Sequence, residues 1–146
     1  MSGQSKIESY RDLLVWRKGI DLVKSVYQIT QTFPQDERFG LTSQIRRAAV
    51  SVPSNIAEGQ ARFTTREFIH FISHVEGSIA EVDTQLVIAL ELDFCKAPKV
   101  KPAFDAIVEL QKCSIHFAAN FRNETCRSEV SSLITSSPIS PLTTNH

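Results

Sequence analysis

Gly40-Leu41-Thr42-Ser43-Gln44-Ile45-Arg46-Arg47-Ala48-Ala49-Val50-Ser51-Val52-Pro53-Ser54-Asn55-Ile56-Ala57-Glu58-Gly59 carries two stripes at the period of an α-helix. At about 100° per residue, Leu41, Ile45, Ala48, Ala49, Val52 and Ile56 gather on one side, the face that a surface helix turns to its core. Gln44, Arg47, Ser51, Asn55 and Glu58 gather beside them. A solvated stripe is more usually built of Lys and Glu. This row therefore predicts groups that meet specific hydrogen-bond partners between helices or between subunits, with Arg47 and Glu58 offsetting each other's charge. Its alternative use is a polar groove for a partner chain or a phosphate backbone. Pro53 removes a helical N–H and frees the carbonyl of Ala49, yet both stripes keep phase across it, so one kinked helix ending at Gly59 is expected.

Outward from this segment the same period recurs, and no strict alternation of period two appears, which makes an all-α fold the natural reading. A first helix follows Asp12 as N-cap and repeats Leu13, Trp16, Ile20, Val23 and Tyr27, a bundle seam, until Phe33-Pro34 stops it. Residues 35–40 form a short link. A third helix opens at Thr64-Thr65-Arg66-Glu67, a capping box, and continues the seam through Phe68, Ile72, Val75, Ile79, Val82 and Leu86. Gly77 within it predicts close approach of a neighbouring helix. A fourth helix begins near Pro102 and runs through Phe104, Ile107, Leu110, Ile115, Phe117, Ala118 and Phe121. Short links between four such helices predict an up-and-down four-helix bundle over residues 8–127, followed by a disordered Ser/Thr/Pro-rich tail over 128–146.

The 146 residues suffice for one domain with its own core, and the formal net charge is zero, which argues against a strongly basic nucleic-acid protein. The charge is nonetheless uneven: residues 38–66 hold five arginines and one acid, residues 67–93 six acids and no Lys or Arg. Cys95, Cys113 and Cys126 are odd in number and lack C-x-x-C spacing, so neither a disulfide framework nor a zinc ribbon is indicated. Residues 1–10 lack the apolar run of a signal peptide and no segment has the roughly 20 apolar residues of a membrane span. A cytoplasmic, reduced protein with no membrane partner is expected.

Arg38, Arg46, Arg62 and Arg66 are the candidates for nucleic-acid contact, because phosphates are met by accessible cations, and Phe39 and Phe63 beside them offer rings on which unpaired bases could stack. His70 and His74 lie four apart on one helix face with Glu67 or Glu81 nearby. That spacing arises often by chance, and neither H-E-x-x-H nor a paired Glu-x-x-His set accompanies it, so they stand as weak metal candidates and no cofactor is expected. No phosphate-cradling glycine loop or nucleophile–base set can be singled out, which argues against an enzyme.

Tyr10 to Lys18, Phe33-Pro34 with Glu37 to Ala48, Ser51 to Gly59, and Glu67-Phe68 with Gly77-Ser78, in this order, resemble the bacterial family called four helix bundle protein. That family was first noticed as open reading frames inside intervening sequences of large-subunit ribosomal RNA genes. The resemblance covers residues 10–95; the fourth helix and the tail are similar in character only. It implies a non-enzymatic bundle. A related branch, the accessory variability protein of diversity-generating retroelements, is similar in fold, forms a pentameric barrel and binds a reverse transcriptase and nucleic acid. The resemblance thus implies a self-associating scaffold, a homo-oligomer such as a pentamer, or alternatively an RNA- or DNA-binding accessory factor working with a nucleic-acid enzyme. That branch is basic where this chain is neutral, and Ala61-Arg62-Phe63-Thr64-Thr65 replaces a more basic stretch. A metal-binding or enzymatic bundle is the third reading.

Overall fold

A computed structural model describes residues 13–62 and 64–135. Among the described residues four α-helices follow one another, α1 Leu14–Thr30, α2 Leu41–Gln60, α3 Thr65–Glu91 and α4 Ala97–Thr135, with one turn of 3-10 helix, Gln35–Glu37, between the first two. Side-chain pairs fix how they lie. Gly19 packs on Pro53 while Thr30 bonds Arg46, Ser51 bonds Ser78 while Gly59 meets Phe71, and Lys18 pairs with Glu109 while Thr32 bonds the carbonyl of Phe94. In every case the later residue recedes as the earlier one advances, so neighbours are antiparallel. Contacts run α1–α2, α2–α3, α3–α4 and α4–α1, closing an up-and-down ring of four helices around one core. Leu22, Ile29, Ile45, Ile56, Ile79, Leu86 and Leu110 are fully buried in it. Among the described residues no helix is long and apolar enough to cross a membrane.

The α2 and α3 faces lie as the pattern predicts. Ile45, Ala48, Ala49, Val52 and Ile56 are buried, with Leu41 half-buried, and all six seam residues of α3 are buried. The α1 seam differs. Val15, Gly19, Leu22, Val26 and Ile29 face the core, while Trp16, Ile20 and Val23 are half-buried and Tyr27 is exposed. The cause is Gly19: a Cβ there would stand 3.3 Å from Pro53 Cβ, so the helices touch backbone to ring and the face turns toward the smallest residue. The N-terminal cap of α1 is Leu13 and makes no side-chain bond; Asp12 lies outside the described residues.

Pro53 sits inside one continuous helix, as expected, but Gly59 does not end it. α2 continues to Gln60, and Gly59 is buried where a Cβ would stand 2.9 Å from Phe71 Cβ. Gly77 reverses expectation in the opposite sense, being exposed with nothing within 4 Å of a Cβ built there. Thr64 caps α3: its Oγ1 accepts from the Glu67 amide at 3.2 Å and donates to the Glu67 carboxylate at 2.7 Å.

α3 ends without glycine. Asp93 takes the left-handed conformation at φ 57°, Phe94 N–H donates to Ala89 O at 2.9 Å and Asp93 N–H to Leu90 O at 3.0 Å. That is the pairing of a Schellman cap, in which a short polar side chain stands where glycine is usual. α4 starts at Ala97 rather than near Pro102, because Pro98 is tolerated in a first turn; Pro102 lies inside the helix. Ile107 and Leu110 are buried as expected, Val100, Ala103 and Ser114 join them, and Ile115 is 65% exposed instead of buried. The backbone of α4 runs through residue 128 to Thr135, past the expected domain boundary at 127. The side chains of Phe117, Ala118 and Phe121, and residues 136–146, lie outside what is described.

Candidate functional site

α2 begins with Gly40 in an unusual backbone conformation (φ −100°, ψ −117°), and its first amide, Leu41 N–H, is taken by the Glu37 carboxylate at 3.0 Å. This clamp ties the 3-10 turn to the helix start and leaves Arg38 and Phe39 projecting: Phe39 is 89% exposed, and the Arg38 guanidinium lies 5.6 Å from the centre of its ring. One turn on, Arg46 Nε donates to Thr30 Oγ1 at 2.8 Å while its guanidinium lies 4.5 Å over the Tyr27 ring. The last turn of α1, the link and the first turns of α2 thereby enclose an open groove of about 450 Å³. Arg38, Arg46 and Arg47 line it with Tyr27 and Phe39; Thr42, Ser43 and Val50 complete the wall, and no acid is among its lining residues.

The nucleic-acid candidates divide into two groups. Arg38 and Arg46 share this groove, joined by Arg47. Arg62 and Arg66 lie beyond the other end of α2, Arg62 in the link and Arg66 in the first turn of α3, and α2 rises about 21 Å from Arg46 to Gln60 at 1.5 Å per residue. There Arg62 bonds Glu58 at 2.7 Å and lies 5.1 Å from the centre of the Phe71 ring, and Arg66 is exposed. Phe63 lies outside the described residues. Arg46 differs from expectation in being half-buried and bonded, a tether between α1 and α2 with part of its guanidinium in the groove.

Within one chain the polar stripe is not the buried network its composition predicts. Ser51 alone crosses between helices, donating to Ser78 Oγ at 2.6 Å, whose own proton goes to His74 O at 3.0 Å. Asn55 donates back to Ser51 O within α2 at 2.8 Å. Glu58 pairs with Arg62 rather than Arg47, at a surface where both side chains are about half exposed. Gln44 and Arg47 are exposed. The physical reason is the tight α1–α2 and α2–α3 contacts through Gly19, Pro53 and Gly59, which turn the apolar stripe from Ile45 to Ile56 inward and leave its neighbour at the rim.

Tyr27, Thr42, Ser43 and Val50 escaped the sequence reading as groove residues. The signal that could have found Tyr27 is its place one step past the true core face of α1.

A family model described as 23S rRNA-intervening sequence protein matches residues 11–116. The chain belongs to that family. The match takes in the whole groove and reaches about twenty residues into α4, farther than the resemblance of the first three helices. No curated protein is similar enough to the chain to match it. Among the described residues no three His, Cys, Asp or Glu side chains come together as a metal cage. The Cys95 thiol is pushed above its ordinary value by burial, against the opposing pull of Lys99 and Lys96, so it is a structural thiol rather than an activated one.

Proposed function

We propose that this member of the 23S rRNA-intervening sequence protein family is a non-catalytic binding protein that takes single-stranded RNA in the groove between α1 and the start of α2. The observation that supports it is the gathering of Arg38, Arg46 and Arg47 with the rings of Tyr27 and Phe39 on one wall free of acids. Guanidinium groups meet phosphates whatever the sequence, and an exposed ring offers a stacking platform to an unpaired base. Zero net charge does not oppose this, because among the described residues no acid lines the groove and the neighbouring carboxylate, Glu37, is engaged by the Leu41 amide.

Arg38→Ala and Arg47→Ala test the reading, since both side chains are exposed and neither anchors the fold. Binding of a single-stranded RNA oligomer should weaken with salt, with each variant flattening the logarithmic slope by about 0.7. Phe39→Ala should weaken binding by about 1–3 kcal/mol. Absence of binding at low salt would overturn the reading.

A second reading, self-association into a scaffold, is favoured by a separate observation. Val108 and Ile115 are exposed on one face of α4, at 48% and 65%, and Leu14 at the start of α1 is 65% exposed. The Lys18–Glu109 pair sets Leu14 and Ile115 at the same level of the bundle. Apolar groups so placed would be covered in a homo-oligomer. Light scattering should then give a multiple of 16.4 kDa, and a monomer at micromolar concentration would remove this reading without touching the first.

A further inference from the structure

The outer face of α3 holds two imidazoles in an arrangement that the RNA groove does not use. His70 and His74 are both exposed, their rings stand at 85° with centroids 4.6 Å apart, and Nε2 lies 3.2 Å from Nε2. Two nitrogens bound to one tetrahedral zinc ion at 2.0–2.1 Å stand about 3.3 Å apart. The pair therefore already has the nitrogen–nitrogen span of a chelate; the contact is a hydrogen bond in which one Nε2 carries the proton, and a bound ion takes that proton's place, with both rings then carrying their proton on Nδ1.

The backbone beneath the pair is held in place. Phe68, Ile72 and Val75 anchor the opposite face of the same turns in the core, the Ser73 hydroxyl donates to His70 O at 2.7 Å, and that of Ser78 to His74 O at 3.0 Å. Glu67 is not a third ligand, because its carboxylate is engaged by the Thr64 hydroxyl in the helix cap. Neither does another His, Cys, Asp or Glu complete a set of three among the described residues.

We propose that His70 and His74 form a two-imidazole site for a first-row divalent transition ion of the zinc, nickel and copper class. Its other positions are taken by water. Imidazole suits these ions, whereas magnesium and calcium require oxygen ligands, so the site discriminates by ligand chemistry. With two protein ligands it exchanges its ion readily and stands apart from structural zinc cages with four.

The test is titration of the full chain with zinc and with nickel chloride, followed by calorimetry and by thermal melting. One ion per chain is expected, with a rise in melting temperature as the ion ties two turns of α3 together. His70→Ala and His74→Ala should each weaken binding at least tenfold and abolish the rise, while His116→Ala, at an exposed position on α4, should bind as the parent does. Magnesium chloride should produce no shift. Binding unchanged in His70→Ala or His74→Ala, loss in His116→Ala, or no uptake at 100-fold molar excess would each overturn the proposal. All of these residues are exposed, and a far-ultraviolet spectrum equal to the parent's confirms that each variant is folded.

Discussion

Two helical glycines, each preceded by a glutamate, do opposite things in space. Gly59 leaves room for Phe71, so Gly59→Ala should cost about 1–3 kcal/mol in a urea melt, because the atom it meets is a Cβ fixed to the backbone. Gly77 faces open space, and Gly77→Ala should stabilise by about 0.5–1 kcal/mol, the helical advantage of alanine. Neither sign can be read from spacing, since a glycine has no side chain to register on either face. Arg46→Ala should remove both the Thr30 bond and the stacking on Tyr27, destabilising by about 1–2 kcal/mol, whereas Arg47→Ala should leave the melt unchanged. The two adjacent arginines are thus separable by stability alone.

At the scale of the element, α3 was legible because its large apolar residues sit on the face that packs. The α1 seam was not, because its apolar residues cover a broad arc and the contact that selects the face is made by the smallest of them, Gly19 on Pro53. The two helix boundaries around the α3–α4 turn escaped for a related reason: the cap uses Asp93 where glycine would signal a stop, and the next helix places its first proline where proline is harmless. Asp93→Val should cost about 1–2 kcal/mol, since a β-branched residue cannot relax at positive φ. The same turn carries a pH dependence. Burial raises the Cys95 thiol in the folded chain, so the folded state holds its proton where the unfolded state has lost it. That contribution is complete below the ordinary thiol value and is lost as pH rises through the folded one. Cys95→Ala should flatten the alkaline fall in stability measured by urea titration at a series of pH values.

For the whole molecule, the bundle was legible and the groove only in part. Arg38, Arg46 and Phe39 were found by residue type, but the grouping of Arg47 with them depends on how far α2 rotates about its axis, a quantity set by the Gly19–Pro53 and Gly59–Phe71 contacts. Periodicity supplies two stripes; tertiary packing decides which one meets water. The ring of helices also has a temporal side. α1–α2, α2–α3 and α3–α4 join segments adjacent in the chain, whereas Lys18 and Glu109, at the α1–α4 seam, are 91 residues apart. Short loops close at little entropic cost, and the long one closes last. Substitutions on the α2–α3 hairpin, such as Val75→Ala, should slow refolding, while Leu110→Ala on α4 should chiefly hasten unfolding. The seam between the first helix and the last would then be the latch of the bundle, formed after the rate-limiting step and the first to open.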